Sequence, residues 1–437
     1  MVKNKLLTLE VFRMDKEIQN QIKSVKDKHI PTGYVYTEAG LLPVEWKFST
    51  LEDITEKITK TAGTDLYETL SISAGIGFVN QAKKFGKELS GKQYEKYIVL
   101  NKGDFSYNKG NSKTYPQGCL YRLQNREVAA VPNVFESFRI KFGCAEYYDQ
   151  LFISGYLNRQ LSKKINHGVR DDGLLNLTGK DFYSCFLPVP PIEEQEKIAR
   201  ILTVCDKVIE LKEKLIEEKK KQKKVLRKNL LNPSVISKIP IFQNIKWKQI
   251  NIGDCTTMFS GGTPKSGKSI YYENGTIPFI RSGEIKEEKT VLFLTEEGYK
   301  NCSSKMVKKG DLLYALYGAN SGDCSISKID GAINQAVLCI RSSEISTLFM
   351  YYTFENLKEH IVSTYLQGGQ GNLSADIIKS INICAPNDET TQKKISNIIG
   401  CADNEINLYN LELAELKRKK KALTQLLLTG IVRVNKE

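Results

Sequence analysis

The sequence predicts an α+β chain written twice. Two mixed α/β globular units stand in tandem, each running into a helix of about 40 residues, and the two helices lie antiparallel, coiled-coil fashion, about a pseudo-two-fold axis. Three observations carry this. Adding 197 to positions from Gln195 onward lands like on like without a gap, apolar residues recur at three and four through both copies of that segment, and the residues upstream read as short strands bounded by turns.

The repeat sets the frame. Gln195 falls on Gln392, Ile198 on Ile395, Leu202 on Ile399, Asp206 on Asp403, Ile209 on Ile406, Leu226 on Leu423 and Leu230 on Leu427. Upstream, Trp46, Lys47 and Asp53 meet Trp247, Lys248 and Asp254; Lys102-Gly103-Asp104 meets Lys309-Gly310-Asp311; Asn176-Leu177-Thr178 meets Asn372-Leu373-Ser374. The offsets there shift between 196 and 207, so insertions and deletions fall inside the globular parts and not in the helices.

Taken in order, residues 1–41 form an N-terminal extension, with a weak amphipathic pattern (Leu7, Leu9, Phe12, Ile18, Ile22) read as a short helix and Pro31-Thr32-Gly33 as a linker. Residues 42–190 are the first globular domain. Residues 191–243 hold the first long helix, opened by Pro190-Pro191 and closed by Pro233, and a linker. Residues 244–386 are the second globular domain, and 387–437 the second long helix, between Pro386 and Gly430. Helices of this length, ~60 Å each, need a partner, and each other is the nearest.

Composition narrows the function. The 437 residues exceed one small domain, and 64 Lys plus Arg against 50 Asp plus Glu leave a net charge of +14, suited to a polyanionic partner. The two helices contribute +6 of this, and runs such as Lys219 to Lys221 and Lys417 to Lys421 read as solvated faces that can still touch phosphate. No two of the ten cysteines lie closer than 15 residues, and the three histidines form no His-x-x-x-His pair. Reduced thiols and the absence of zinc or histidine chemistry are expected. No apolar run approaches the ~18 residues of a membrane span, and Glu10 interrupts the only N-terminal apolar run, so a cytoplasmic chain with no membrane partner is expected.

The motifs that offer chemistry fail in context. Gly262-Thr263-Pro264-Lys265-Ser266-Gly267-Lys268-Ser269 is a literal Gly-x-x-x-x-Gly-Lys-Ser, but a phosphate cradle needs a helix starting at the Lys, and Asn274-Gly275 signals a turn six residues later. A P-loop ATPase or nuclease acting on nucleic acid is the alternative reading, and a purely structural helical adaptor is another. Asp254, Glu284 and Lys286 could imitate a nuclease site, yet Glu-x-Lys recurs at Glu210, Glu218, Glu287 and Glu415. No catalytic, cofactor-binding or metal-binding residue is assigned.

What remains is a duplicated binder. Polar, aromatic and basic residues cluster at predicted strand ends: Tyr107, Asn108, Lys109, Asn111 and Ser112, with Arg170, in the first half, and Lys265, Lys268, Arg281, Ser282, Tyr314, Tyr317, Asn320, Ser321 and Gln370 in the second. These are the candidate DNA contacts, since amides can read adenine, Arg and Lys guanine, and hydroxyls can hold phosphates.

Several motifs in fixed order then resemble a known family. Gly261-Gly262-Thr263-Pro264, Ile277 to Ile285, Lys309-Gly310-Asp311, Gly318-Ala319, Asn334 to Val337 and Asn372-Leu373-Ser374 are similar to a target-recognition domain of type I restriction-modification specificity subunits. The first half is similar through Lys102 to Phe105 and Tyr107 to Gly110, and Pro190 to Ile198 resembles the family's repeated helix; Thr390-Thr391-Gln392 departs from it. The resemblance covers residues 42 to 430. It implies a non-catalytic subunit that binds an asymmetric, bipartite double-stranded DNA target, one half-site per domain. It also implies two methyltransferase subunits and restriction subunits as partners, with S-adenosylmethionine, ATP and Mg belonging to those partners and no cofactor to this chain. Ile198, Leu202, Ile209, Leu226, Ile395, Ile399, Ile406 and Leu423 are the candidate docking positions on the helices.

Overall fold

The computed structural model describes residues 20, 22–24, 27, 29–85, 91–110, 114–165, 174–366 and 372–434. It divides into two units, Met1–Leu211 with Leu413–Glu437, and Lys212–Glu412. Each long helix is therefore shared: Ile192–Leu230 (39 residues) begins in the first unit and ends in the second, and Glu389–Leu428 (40 residues) does the reverse.

Both units carry the same sheets. In the first, Thr55–Lys57, Glu136–Ile140, Phe105–Asn108 and Cys119–Arg122 form a four-stranded antiparallel sheet in that order. In the second, Thr256–Ser260, Val337–Ser342, Leu312–Ala315 and Cys324–Ile326 repeat it. A smaller set is duplicated too. Ile277–Ile280 runs parallel to Gly331–Ile333, flanked by Phe293–Leu294 and Lys305–Val307. Its counterpart is two hairpin-like pairs, Leu70–Ser73 with Gly77–Asn80 and Ile98–Asn101 with Val128–Val131, joined by one parallel bridge between Thr69 and Ala130. The short strands that the sequence predicts upstream of the long helices thus exist, among them Ile98–Asn101, Leu312–Ala315 and Val337–Ser342.

The repeated Lys-Gly-Asp explains itself as a turn. Asp104 accepts from the Asn101 N–H and Asp311 from the Lys308 N–H, each at 2.7 Å, while Gly103 and Gly310 sit at φ of +97° and +99°, where a side chain would be strained. Arg139 meets Asp104 through one contact of 3.2 Å, and Arg341 grips Asp311 bidentately at 2.8 and 2.5 Å. The carboxyls respond accordingly. Burial raises Asp104 despite its hydrogen bonds, whereas at Asp311 burial is outweighed by Arg341 and the Lys308 N–H, which lower it.

Aromatic residues fill the first core, with Phe105 stacked on Phe138 at 5.5 Å and Tyr107 on Phe182 at 4.5 Å. The second is built around Tyr314, Phe349 and Phe354. Helix residues complete both: Ile198, Leu202 and Leu427 in the first, Leu230, Ile395 and Ile399 in the second. Pairing is antiparallel within each unit. Glu194 meets Arg433 and Asp206 meets Lys420 in one, and Lys219 meets Glu405 and Lys223 meets Asp403 in the other. The pairs Asp206 with Lys420 and Asp403 with Lys223 are each other's images under the 197-residue repeat.

One glutamine per unit ties helix to domain. Gln195 accepts from the Cys144 N–H at 2.9 Å and donates to the Pro190 carbonyl at 2.8 Å; Gln392 accepts from the Ser346 N–H at 2.8 Å and donates to the Pro386 carbonyl at 3.0 Å. Cys144 and Ser346 each precede a helix, Ala145–Ile153 and Thr347–Tyr365, that has no side-chain cap of its own. Both glutamines are buried.

Two features went unanticipated at the chain ends. Beyond the expected linker, Tyr34–Thr37 and Gly40–Pro43 form a hairpin that crosses the boundary placed at 41/42, and Leu42 lies in the first core. The other is a clasp following the second long helix. The Tyr34 hydroxyl donates to the Gly430 carbonyl at 2.7 Å, and Arg433 bonds Glu194 and Glu45 while lying over the Trp46 ring. Of the N-terminal amphipathic positions only Ile22 is described, within a helical stretch at 22–24; Leu7, Leu9, Phe12 and Ile18 lie outside the described residues.

A buried acid sits in the first unit. Burial pushes the Asp149 carboxyl up to about 6, partly offset by Arg122 and by the Gln124 amide, which donates to it at 2.7 Å.

Two predictions follow from these contacts. Replacing Gln195 or Gln392 by Ala strands a half-buried N–H and a buried carbonyl, and is expected to lower the stability of its own unit by about 1–3 kcal/mol in urea unfolding. Asp149 has a folded pKa above its unfolded value, so its protonated form favours the fold. Its contribution is complete below about 4 and is lost as pH rises through about 6. Asp149→Asn is expected to remove that part of the pH dependence and to be the more stable protein at pH 7, read by unfolding across pH 4 to 7.

Candidate nucleic-acid interface

Strand direction gathers the loops. In the second unit, the strands ending at Ser260 and Ala315 run the same way, both antiparallel to Val337–Ser342 with Ser260 beside Leu338 and Ala315 beside Val337, while Ile280 ends beside Ile333, from which residues 334–336 lead directly into that shared strand. Residues 261–268, 281–289, 316–323 and 334–336 therefore crowd at one end of the paired sheets. Residues 74–76, 109–110, 114–118 and 132–135 occupy the same end of the first unit, beyond Ser73, Asn108 and Val131.

The glycines at the start of the first loop are structural. A side chain on Gly261 would meet the Ile333 carbonyl and one on Gly262 the Ser303 hydroxyl, because the chain crosses hard against the smaller sheet there. Thr263 donates to Gln335 at 2.5 Å and ties two loops, and Tyr272 donates to the Pro264 carbonyl at 2.7 Å. Lys268 has an extended backbone and is followed only by a three-residue 3-10 turn, Ser269–Tyr271. The helix that a P-loop requires is missing, so the Gly-x-x-x-x-Gly-Lys-Ser string has no phosphate cradle. Lys265 and Lys268 instead project from an exposed loop, Lys268 lying 5.2 Å from the Tyr271 ring.

The candidate contacts separate by burial. Tyr107 and Tyr314 are corrected from readers to core: both are buried, and the Tyr107 hydroxyl donates to the Gln117 carbonyl at 2.6 Å. Ser321 is buried as well, donating to the Gly318 and Leu316 carbonyls at 2.8 and 3.2 Å. Asn108 shapes its own turn by accepting from the Gly110 N–H at 2.8 Å, and half-buried Lys109 is neutralised by Glu136 at 2.7 Å. Arg281 grips Glu284 at 2.9 and 3.2 Å; burial disfavours the Glu284 charge, yet Arg281 and the Val291 N–H hold its carboxyl low. Ser282, Tyr317 and Asn320 are half-buried at the loop end, Tyr317 bridging to Asn372. Asn111, Ser112, Arg170 and Gln370 lie outside the described residues.

The docking positions are also occupied. Ile198, Leu202, Ile395, Ile399 and Ile406 are buried in this chain, and Leu226 and Leu423 pack against its cores, because each domain closes its core with helix residues. Ile209 is half-buried. Apolar side chains that remain exposed on the helices are others, among them Val204, Val208, Leu408 and Leu411.

The first unit's hairpin tip, residues 74–76, joins the loop end without being among the predicted contacts. The Gly75 N–H donates to the Tyr121 hydroxyl at 2.9 Å, and Ile76 stands 74% exposed beside it at the loop end. Ala74-Gly75-Ile76-Gly77 between Leu70–Ser73 and Gly77–Asn80 is a glycine hairpin signal that could have revealed it.

Fold and loops together define a duplicated α+β scaffold that presents two unlike sets of loops. Among the described residues no His, Cys, Asp or Glu group could hold a metal, and no helix is long and apolar enough to cross a membrane. The chain belongs to the family described as type I restriction modification DNA specificity domain, which matches residues 43–221 and 244–418, and its role is that of a specificity subunit, DNA target recognition. It is 28% identical over 308 residues to the type I restriction enzyme MjaVIII specificity subunit of Methanocaldococcus jannaschii, covering 65% of this chain and 70% of that protein. It is 23% identical over 458 residues to the MjaIX specificity subunit of the same organism, covering 92% and 97%. Among solved structures, one from work on complex assembly and conformational transition of the type I R-M system shares the fold with a TM-score of 0.57 at 14% identity, covering 90% of this chain and 99% of that one. The S subunit from M. genitalium gives 0.53 at 17% identity, covering 90% and 97%.

The missing cradle yields a direct check: the purified chain is expected to show no ATP hydrolysis above background, and Lys268→Ala to change none. An ATPase that disappears in Lys268→Ala would overturn this reading of the loop.

Proposed function

We propose that the chain is a non-catalytic specificity subunit that reads an asymmetric, bipartite double-stranded DNA target, one half-site through the loop end of each unit. The observation that carries this is the contrast between frame and loops. Sheets, turns and helix-locking glutamines repeat between the two halves, whereas the loops gathered at the sheet ends differ in length and sequence. Two unlike reading surfaces on like scaffolds suit two unlike half-sites.

The family and the names of the relatives support the wider assembly. Two methyltransferase subunits and, where present, restriction subunits are the partners in this reading. S-adenosylmethionine, ATP and Mg act in those partners, and this chain supplies the address. Docking would use the helix faces left exposed after the cores are closed, such as the one bearing Val204 and Val208. A cytoplasmic location accords with that work.

The test is a domain exchange. Replacing residues 245 to 386 by the corresponding domain of another family member is expected to change one half of the methylated target and leave the other intact, as read by methylome sequencing. A change in both halves would sink the modular reading.

A further inference from the structure

A second basic feature lies away from the loops, within the Lys212–Glu412 unit. The end of the first long helix and residues 355–360 of Thr347–Tyr365 wall an open cleft of about 640 Å³. Lys220, Lys224 and Lys228 line it at i, i+4 and i+8, on one helix face in steps of ~6 Å. All three are exposed. Lys220 and Lys224 are held only by surface pairs, with Glu217 and Glu359, that a stronger anion can displace, and Lys228 has no acidic partner among the described residues. Beneath them Arg227 is 8% exposed; its Nη1 lies 2.5 Å from Glu355, and its Nε has no hydrogen-bond partner. An unpaired guanidinium N–H at that depth is costly unless something else accepts it.

The feature departs from the repeat in its last two charges. Adding 197 carries Lys220 and Lys224 onto Lys417 and Lys421, but carries Arg227 onto Thr424 and Lys228 onto Gln425. The helix pairing is made in both units, so it does not require these charges. They also connect to the loop end. Lys358, which lines the cleft, bonds Asp323 in the 316–323 loop, and Asp323 holds Lys286 of the 281–289 loop at 2.7 Å.

We infer that this cleft is a sequence-independent contact for the phosphodiester backbone of the DNA whose bases the loops read, with Lys220, Lys224 and Lys228 facing phosphates and Arg227 donating its unused N–H. The inference rests on the recognition reading above. An evenly spaced row of flexible point charges, linked to the reading loops through Lys358 and Asp323, fits a regular polyanion better than an irregular acidic segment of protein.

The experiment uses the full-length chain, alone and assembled with its methyltransferase partner, and the triple variant Lys220→Gln, Lys224→Gln, Lys228→Gln, whose substitutions are exposed and spare both cores. Binding to random-sequence duplexes is measured across a salt series, and the sequences each protein enriches from the pool are compared. The variant is expected to bind every duplex roughly tenfold more weakly, with a log K against log salt slope shallower by about 2 to 3 and the same enriched sequence. Arg227→Lys, which keeps the charge but loses the Nε–H, is expected to fall between. An unchanged slope with wild-type sequence enrichment overturns the cleft contact alone. Unchanged DNA binding with lost partner assembly assigns the cleft to an acidic protein surface and overturns it too. A wild-type protein that enriches no sequence in either form overturns the recognition reading itself.

Discussion

A buried primary amide fixed at both ends is the contact on which each half of this protein depends. Gln195 and Gln392 satisfy a carbonyl of the strand end that precedes the long helix and an N–H at the start of a helix in the domain. No charged side chain could do both, since a carboxylate only accepts and an ammonium only donates. The amide thus fixes the angle at which the helix leaves the domain. From there follow the positions of Ile198 and Leu202, or Ile395 and Ile399, and so the closing of the core. It also accounts for the one-residue register of the repeat: a glutamine one position away would point to another face of the helix.

The helices then do more than connect. Each unit closes its core with the beginning of one long helix and the end of the other, so neither half of the sequence contains a whole unit. The ion pairs Asp206 with Lys420 and Asp403 with Lys223 hold this exchange in antiparallel register. The clasp of Arg433 on Glu194, Glu45 and Trp46 brings the segment after the second helix back onto the first domain. It has no counterpart in the 197-residue repeat, and no periodicity could disclose it, because Arg433 lies 239 positions from Glu194 and 388 from Glu45, in a segment without pattern.

Legibility in the sequence tracks physical redundancy. The long helices were readable because forty residues of one period outweigh local ambiguity, and the duplicated frame because turns such as Lys102-Gly103-Asp104 must use the same chemistry twice. Site residues were less legible. Tyr107 and Tyr314 combine strand-end position with polar tips, the signature of a reader, yet their rings serve the core because strands of four residues bury successive side chains, and Ser321 in the 316–323 loop turns its hydroxyl inward to the Leu316 and Gly318 carbonyls. Only the fold separates these from Lys265 and Lys268, which share the composition but sit on an exposed loop. The helix positions misled for a related reason. An apolar stripe signals that something is covered, not whether the cover is the same chain.

The fate of the arginines separates affinity from discrimination. Arg122, Arg126, Arg139, Arg281 and Arg341 are all engaged by carboxylates, Arg126, Arg281 and Arg341 through both arms of the fork, so turning them to guanine would strand the carboxylates, of which Asp104, Glu284 and Asp311 are largely buried. The positive charge that remains available is carried mainly by lysine, which meets phosphate as a point charge and carries little base information. In the recognition proposed above, discrimination would fall to uncharged groups at the loop ends, such as Thr263, Ser282, Asn320 and Gln335, because their hydrogen bonds are directional. This division lets the two halves differ in what they read without differing in how they fold. Loops are free to diverge, and these five arginines are instead committed to holding the sheets and turns in place.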